Sequence, residues 1–314
     1  MNRFKRAIDH CYLGLEKESN QIWKGPFSFV QAADTQYGMI HQFQTISYNN
    51  TFEECRTRIE EYKRNALSKW TEEIRLTKTA IEQWNRMRPR PRFVVLCGDL
   101  VNDFPGEPLR RKQLDDFKRT FVENLDDSIP LVLLPGNHDI LDVPTSESIE
   151  NYRQEFGDDY FAFWVDGVMF IVINAQYYKD SSKVKQLALI HEQWIDEKLL
   201  EAKQNQYKHI IIFQHIPWFI HDVDEPEDEI FNIAIEERKR MLKKFNDNGV
   251  RAVFCGHYHR NSIAHYEDLE LIITSAIGAQ IPPLLEKNEE VSQSGYRIVK
   301  VDEDKLEHRY VNIE

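Results

Sequence analysis

Five short strings in this chain carry residues that bind metals or move protons. They are Asp34-Thr35-Gln36, Gly98-Asp99-Leu100-Val101-Asn102, Gly136-Asn137-His138-Asp139, His215, and Gly256-His257-Tyr258-His259. Carboxylate, amide oxygen and imidazole are ligands for hard and borderline divalent cations. Two such ions need one shared carboxylate and separate ligands for each, and the centre they form hydrolyses phosphate esters. Asp99, directly after an apolar run and a glycine, is the expected shared carboxylate. Asn137 can offer its amide oxygen, His138 can protonate a leaving alkoxide, and Asp139 is expected to orient His138. Residues two apart on an extended segment point to opposite sides, so His257 and His259 can serve different ions. Taken singly, each string has a plainer reading: Asp after Gly is a helix N-cap, and Asn-His-Asp is a polar turn. Their company in one chain favours the metal reading.

The elements that position these residues follow from apolar runs. Runs at 27–33, 93–97, 131–134, 209–214 and 252–255 each end on one of the strings, and a sixth, 271–274, ends on Ser275-Ala276-Ile277-Gly278. Buried strands that deliver polar residues at their C-terminal ends build one site along a sheet edge. Between them, periodicity predicts helices at 114–125, 146–156, 187–202 and 230–245, and one long or two shorter helices within 52–87. A hairpin turned at Asp166-Gly167 and late strands at 269–274, 297–301 and 308–311 complete the order. This mixture of β and α suits two packed sheets with helices outside better than one doubly wound sheet. We expect residues 1–24 to form a partly helical arm and residues 25–314 one catalytic domain with a helical insertion at about 52–88.

Composition narrows the partners. The formal net charge is −12, which opposes non-specific nucleic-acid binding and docking on anionic membrane. No apolar run is long enough to span a bilayer, and residues 1–24 have no signal-peptide core, so a cytoplasmic protein is expected. Cys11, Cys55, Cys97 and Cys255 form no C-x-x-C pair. Residues 222–229 are mostly acidic; such runs are usually solvated loops, and the other reading is a preference for basic residues beside a phosphosite.

Together the motifs resemble the calcineurin-like metallophosphoesterase superfamily, with its D-x-H, G-D-x-x-[DN], G-N-H-[DE], lone His and G-H-x-H. Longer strings, among them Trp23-Lys24-Gly25-Pro26-Phe27, Gly136-Asn137-His138-Asp139-Ile140 and Gly256-His257-Tyr258-His259-Arg260-Asn261, are similar to the calcineurin-like phosphoesterase domain-containing protein family, a single-domain Ser/Thr phosphatase type. The resemblance implies an α/β (α+β) four-layer α-β-β-α sandwich and two divalent metal ions, Mn or Mg favoured, Zn or Fe admissible. It implies that Asp34, Gln36, Asp99 and His259 hold the first ion, and that Asp99, Asn137, His215 and His257 hold the second. It further implies in-line attack on phosphorus by a metal-activated hydroxide, with His138 as the acid. Asn102, Tyr177 and Arg260 are candidate substrate contacts. The implied partners are phosphoprotein substrates, a signalling kinase among them, acted on by a monomer.

One position departs from the superfamily: Gln36 stands where its first motif has histidine. An amide oxygen is a harder and weaker ligand, so the first ion is expected to be Mg²⁺ or Mn²⁺, loosely bound. The alternative is that Gln36 only hydrogen-bonds a coordinated water. Two rival functions stay open on these residues: a phosphodiesterase or nucleotide hydrolase on the same centre, and a metal-binding scaffold without catalysis.

Overall fold

The strand Val94–Cys97 exposes nothing on either face. A strand buried on both sides needs a layer above and a layer below. Helices supply one layer and a second sheet supplies the other. The structure, a computed structural model, describes residues 2–40, 42, 70–280 and 293–313.

In chain order the strands are β1 (Ala7–Ile8), β2 (Cys11–Tyr12), β3 (Phe27–Ala32), β4 (Val94–Cys97), β5 (Leu131–Leu134), β6 (Phe161–Val165), β7 (Val168–Val172), β8 (Ile210–Phe213), β9 (Val250–Cys255), β10 (Ser262–Tyr266), β11 (Leu269–Ile273), β12 (Gly295–Val301) and β13 (Leu306–Asn312). One sheet runs β13-β12-β3-β4-β5 and the other β1-β2-β6-β7-β8-β9-β11-β10. The central strands of each are parallel: β3, β4 and β5 in the first, β7, β8, β9 and β11 in the second. Their C-terminal ends therefore share an edge, and the loops that leave those ends carry the motif strings.

Alternation along the strands builds both layers of core. Phe29, Val95, Cys97, Val132 and Leu134 face the second sheet, while Val30, Val94, Leu96, Leu131 and Leu133 face the helices Thr71–Arg86 and Arg110–Asn124. Between the sheets sits an aromatic cluster of Phe29, Phe93, Phe163, Phe170, Phe213 and Phe254, all fully buried. Phe29 stacks on Phe93 at 4.8 Å and Phe163 on Phe170 at 4.8 Å, while Phe93 meets Phe170 edge-on at 5.0 Å. Such ring pairs add about 0.5–1.5 kcal/mol each beyond their buried area. The β6–β7 hairpin turns at Asp166 (φ 45°) and Gly167 (φ 85°), the paired left-handed residues of a type I′ turn.

Three elements differ from the expectation. The segment expected as a partly helical arm has only one helical turn, Lys17–Asn20; β2 pairs with β6, and Phe4, Ala7, Tyr12 and Leu15 are buried, so apolar anchors hold this segment on the sheet edge. The helix expected from 230 begins at Ile235, because the Asp228 carboxylate accepts the amides of Ile230 (2.7 Å) and Phe231 (2.8 Å) and holds a turn there. The helix Ser146–Phe156 lies where it was expected and is capped by Thr145, whose hydroxyl accepts the Ser148 amide (3.1 Å) while the Ser148 hydroxyl accepts the Thr145 amide (2.9 Å). Strand β10, polar and half exposed, gave no apolar signal. Of the expected helical insertion, Thr71–Arg86 is a helix and 52–69 lies outside the described residues.

Candidate metal centre and catalytic cleft

Three of the five motif strings leave their strands through left-handed backbone turns. Asp34 (φ 52°), Gln36 (φ 36°), Asp99 (φ 51°), His257 (φ 71°) and His259 (φ 55°) all lie there without being glycine. Such residues cost on the order of 1–3 kcal/mol each and persist only where their surroundings over-determine them. Here the loops are cross-tied by backbone bonds: Asp34 N to Gly98 O (3.1 Å), Gln36 N to Asp99 O (3.0 Å) and Gly256 N to His215 O (3.1 Å). The loop after β11 braces the first string, Ile277 N and Gly278 N donating to Ala33 O and Asp34 O at 3.0 Å each. Close approach also fixes two glycines. A Cβ on Gly98 (φ +82°) would lie 2.6 Å from His215 Nδ1, and one on Gly136 would lie 2.1 Å from Asp99 Oδ1.

Backbone carbonyls set three imidazoles. His215 Nδ1 donates to Cys97 O (2.7 Å), His257 Nε2 to Ile230 O (2.8 Å) and His259 Nδ1 to Ala279 O (2.6 Å). The opposite nitrogen of each ring is then turned toward the other motif residues. These nitrogens converge on other ligand atoms: His215 Nε2 lies 3.1 Å from His257 Nδ1, 3.1 Å from Asn137 Oδ1 and 3.3 Å from Asp99 Oδ2, while His259 Nε2 lies 3.5 Å from Asp34 Oδ1. Asp99, His215 and His257 offer ligand atoms all within 4.8 Å of one another, and all three are buried. Ligand atoms gathered this closely in a dry site draw positive charge between them. Gln36 Oε1, also buried, has no hydrogen-bond partner among the described residues. These donors fit divalent ions held by carboxylate, amide oxygen and imidazole. The charge balance points the same way. Burial opposes the charged form of His215, but Asp99 outweighs it and pushes the imidazole up to about 9. His257 is pushed down to about 4 by burial and then by His215. Asp99 is held well below the usual carboxylate range; burial resists this, but His215 and His138 prevail.

His138 stands beside this cluster. Its amide donates to Asp99 Oδ1 (2.9 Å), and its Nε2 lies 4.0 Å from Asp99 Oδ2. Its Nδ1 meets the carbonyl of Asn102, and the Phe104 ring stacks on it at 4.4 Å and 15°. Asp139 does not orient His138, contrary to expectation. Neighbours on a helical turn do not face each other, and the Asp139 carboxylate accepts the amides of Gly136 (2.9 Å) and Leu100 (3.3 Å) instead. Burial, then the Asp99 charge, raises Asp139 to about 6. Arg110 binds the region together, donating to His138 O (2.8 Å), Asp139 O (3.1 Å) and Asp103 O (2.5 Å).

A cleft of about 370 Å³ opens over Asn137, His138 and His257, walled by Phe104, Lys179, Ile216 and Ile230, with Asp142 and Glu229 at its margin. Of the candidate substrate contacts, none lines it. Asn102 gives its carbonyl to His138 and its side chain to Gln42 Oε1 (2.6 Å). Tyr177 is buried and donates to Asp159 Oδ2 (3.0 Å). Arg260 is buried with its guanidinium 5.5 Å from the centroid of the Tyr258 ring. Phe104 and Lys179 escaped sequence reading; the only signal for Phe104 was an aromatic two places after Asn102. Several acids of 222–229 serve their own loop: Glu225 accepts the Ile220 amide (2.7 Å) and Glu227 the Ile235 amide (2.9 Å). A larger groove, about 590 Å³ between Pro26, Met87, Pro89 and Ile298, contains none of the expected catalytic, metal-ligand or substrate-contact residues.

Known proteins resemble this chain in sequence and in fold. The family model described as calcineurin-like phosphoesterase matches residues 27–261. The chain is 40% identical over 311 residues to the human (Homo sapiens) serine/threonine-protein phosphatase CPPED1, covering 99% of this chain and 91% of that one. The Pongo abelii protein of the same name is 42% identical over 311 residues, with the same coverage of 99% and 91%. Among solved structures, a dimetal phosphatase from Danio rerio superposes with a TM-score of 0.59 at 18% identity, covering 92% of this chain and 96% of that one, a likeness of fold. The motif order, the two facing sheets and these matches agree: the chain belongs to the calcineurin-like phosphoesterase family and is a metal-dependent phosphoesterase.

Proposed function

We propose that the chain is a phosphomonoesterase acting on phosphoserine and phosphothreonine in proteins. One observation carries the metal reading: Asn137 Oδ1 and His257 Nδ1 each lie 3.1 Å from His215 Nε2, which lies 3.3 Å from Asp99 Oδ2, four ligand atoms gathered in one buried site. In this reading Asp34, Gln36, Asp99 and His259 would hold one divalent ion, and Asp99, Asn137, His215 and His257 the other. When bound, the ions supply Lewis acidity, making a water nucleophilic at neutral pH and drawing charge from phosphoryl oxygens. Mn²⁺ or Mg²⁺ suits the amide oxygen of Gln36 best.

His138 is the proton donor. With Nδ1 fixed on the Asn102 carbonyl, Nε2 is the nitrogen turned to the cleft, and it protonates the departing serine or threonine oxygen. Phe104, Ile216 and Ile230 keep the reacting bond away from bulk water. The cleft volume, about 370 Å³, accommodates one phosphorylated side chain with its backbone outside. The names of the relatives support the protein substrate, and a phosphorylated signalling kinase is one member of that class. A cytoplasmic location is in keeping with Cys11, Cys97 and Cys255 forming no disulfide among the described residues; no helix among the described residues is long and apolar enough to cross a membrane.

The test compares a phosphoserine peptide with bis-p-nitrophenyl phosphate, in Mn²⁺, Mg²⁺ or EDTA, for wild type and Asp99→Asn. Metal-dependent phosphate release from the peptide, lost in Asp99→Asn, is expected. Hydrolysis of the diester alone would replace the proposal with a phosphodiesterase, and silence on both with metal bound would replace it with a scaffold.

A further inference from the structure

We propose that Phe104 is a positioning residue for the leaving-group acid. This rests on the reading of His138 as that acid. A hydrogen bond from Nδ1 to the Asn102 carbonyl fixes one point of the imidazole but leaves the ring free to swing about it, since the last torsion of histidine is broad. The Phe104 face, 4.4 Å away and within 15° of parallel, removes that freedom. Edge and face of one imidazole are thus held by two residues of the same loop, Asn102 and Phe104.

That loop is itself rigid. Asp103, between the two, accepts Gln113 Nε2 (2.9 Å) and the Leu109 amide (3.2 Å), while its own amide donates to Gln113 Oε1 (2.9 Å). The Phe104 amide donates to Glu107 Oε2 (3.2 Å), and the Phe104 carbonyl accepts the Glu107 amide (3.0 Å). Arg110 reaches both Asp103 O (2.5 Å) and His138 O (2.8 Å), so the holder and the held share one guanidinium. A ring that merely filled space would gain nothing from lying parallel to the imidazole, and an aliphatic side chain of similar size has no flat face to offer. A general acid contributes only when its proton lies on the line to the leaving oxygen, where misplacement by ~1 Å costs ~10²-fold.

The experiment measures kcat and KM on a phosphoserine peptide, whose alkoxide leaving group needs a proton, and on p-nitrophenyl phosphate, whose phenolate does not. Wild type, Phe104→Leu, Phe104→Met, Phe104→Tyr and His138→Ala are compared in saturating Mn²⁺. The expected result for Phe104→Leu and Phe104→Met is a kcat ratio, peptide over p-nitrophenyl phosphate, reduced at least tenfold with the peptide KM unchanged. Phe104→Tyr, which keeps the flat face, restores the ratio. An equal loss on both substrates, or a change in KM alone, would reduce Phe104 to a wall of the cleft and overturn the proposal. If His138→Ala leaves the ratio unaltered, His138 is not the acid, and both readings fall; if His138→Ala lowers it while neither Phe104→Leu nor Phe104→Met does, only the positioning role falls. Phe104→Met keeps the test decisive should Phe104→Leu fail to fold.

Discussion

Gly98→Ala separates backbone strain from displacement of a metal-ligand side chain. At φ +82° an alanine costs ~1–2 kcal/mol from its own Cβ. The same Cβ would sit 2.6 Å from His215 Nδ1 and 2.7 Å from the Gly136 amide, where ordinary contact begins at 3.4 Å, so His215 must retreat by about 0.8 Å. That movement breaks the 2.7 Å bond from His215 Nδ1 to Cys97 O and carries Nε2 out of its 3.1–3.3 Å contacts with Asn137, His257 and Asp99. A shift of ~1 Å in a reacting constellation costs ~10²-fold. We expect kcat/KM on a phosphomonoester to fall ~10²-fold in saturating Mn²⁺, alongside a stability loss of ~1–2 kcal/mol by urea titration. Gly249→Ala is the control: φ is +75°, but nothing lies within 4 Å of its Cβ. It should lose similar stability and no activity. Gly98→Ala within threefold of wild-type activity would refute the claim that His215 has no room to move.

Three further outcomes follow from the structure. Gln36→His should tighten Mn²⁺ and Zn²⁺ binding about tenfold by calorimetry, imidazole being the stronger ligand; unchanged affinity removes Gln36 from the ligand set. Glu73, fully buried and accepting the amides of Gly38 and Ile40 at 3.1 Å each, has its carboxyl pushed by burial from 4.5 up to about 7. The folded state therefore favours the protonated form: nothing is lost below the unfolded value, and stability declines by ~3 kcal/mol as pH rises from about 4.5 through about 7. Glu73→Gln should lack that decline in denaturation series across the same range, and identical slopes would disprove the assignment. Tyr177→Phe deprives Asp159 of one donor and should cost ~1 kcal/mol of stability with turnover unaffected; a tenfold fall in kcat would reinstate Tyr177 as a substrate contact.

Side chains that carry chemistry were legible in the sequence because their types are rare and their strands announce themselves. Asp99 or His257 at the end of an apolar run can be placed on a sheet edge without a structure. What orients them was not legible, because the partners are backbone carbonyls of Cys97, Asn102, Ile230 and Ala279, which any residue possesses. Ile230 lies 27 positions before the histidine it fixes, in a stretch that reads as the start of a helix. Asp139 was misjudged for a related reason: adjacency in sequence suggested contact with His138, whereas a helical turn points neighbours apart. Tyr177 lies in the helical turn Gln176–Lys179 after β7, and only the structure reveals that its hydroxyl faces Asp159 inside the protein.

The seven side chains of the candidate centre hang from different layers. Asp34, Gln36, Asp99 and Asn137 follow strands of the five-stranded sheet, and His215, His257 and His259 follow strands of the eight-stranded one. A loaded centre would thus act as a clasp across the rim of a sandwich whose interior is held by stacked rings, aliphatic contact and a few buried polar bonds such as Gln31 Nε2 to Cys255 O (3.2 Å). Binding energy at that rim becomes cohesion between the layers, ~2.7 kcal/mol at a hundredfold excess over Kd. Chelation would let the sheets part from the clasped rim first, exchanging the amides around Asp34 and His215 while the far ends of the same strands stay shut. The ligands of the chemistry would thereby add to the backbone bonds from Ile277 and Gly278 that already tie the two sheets at this rim.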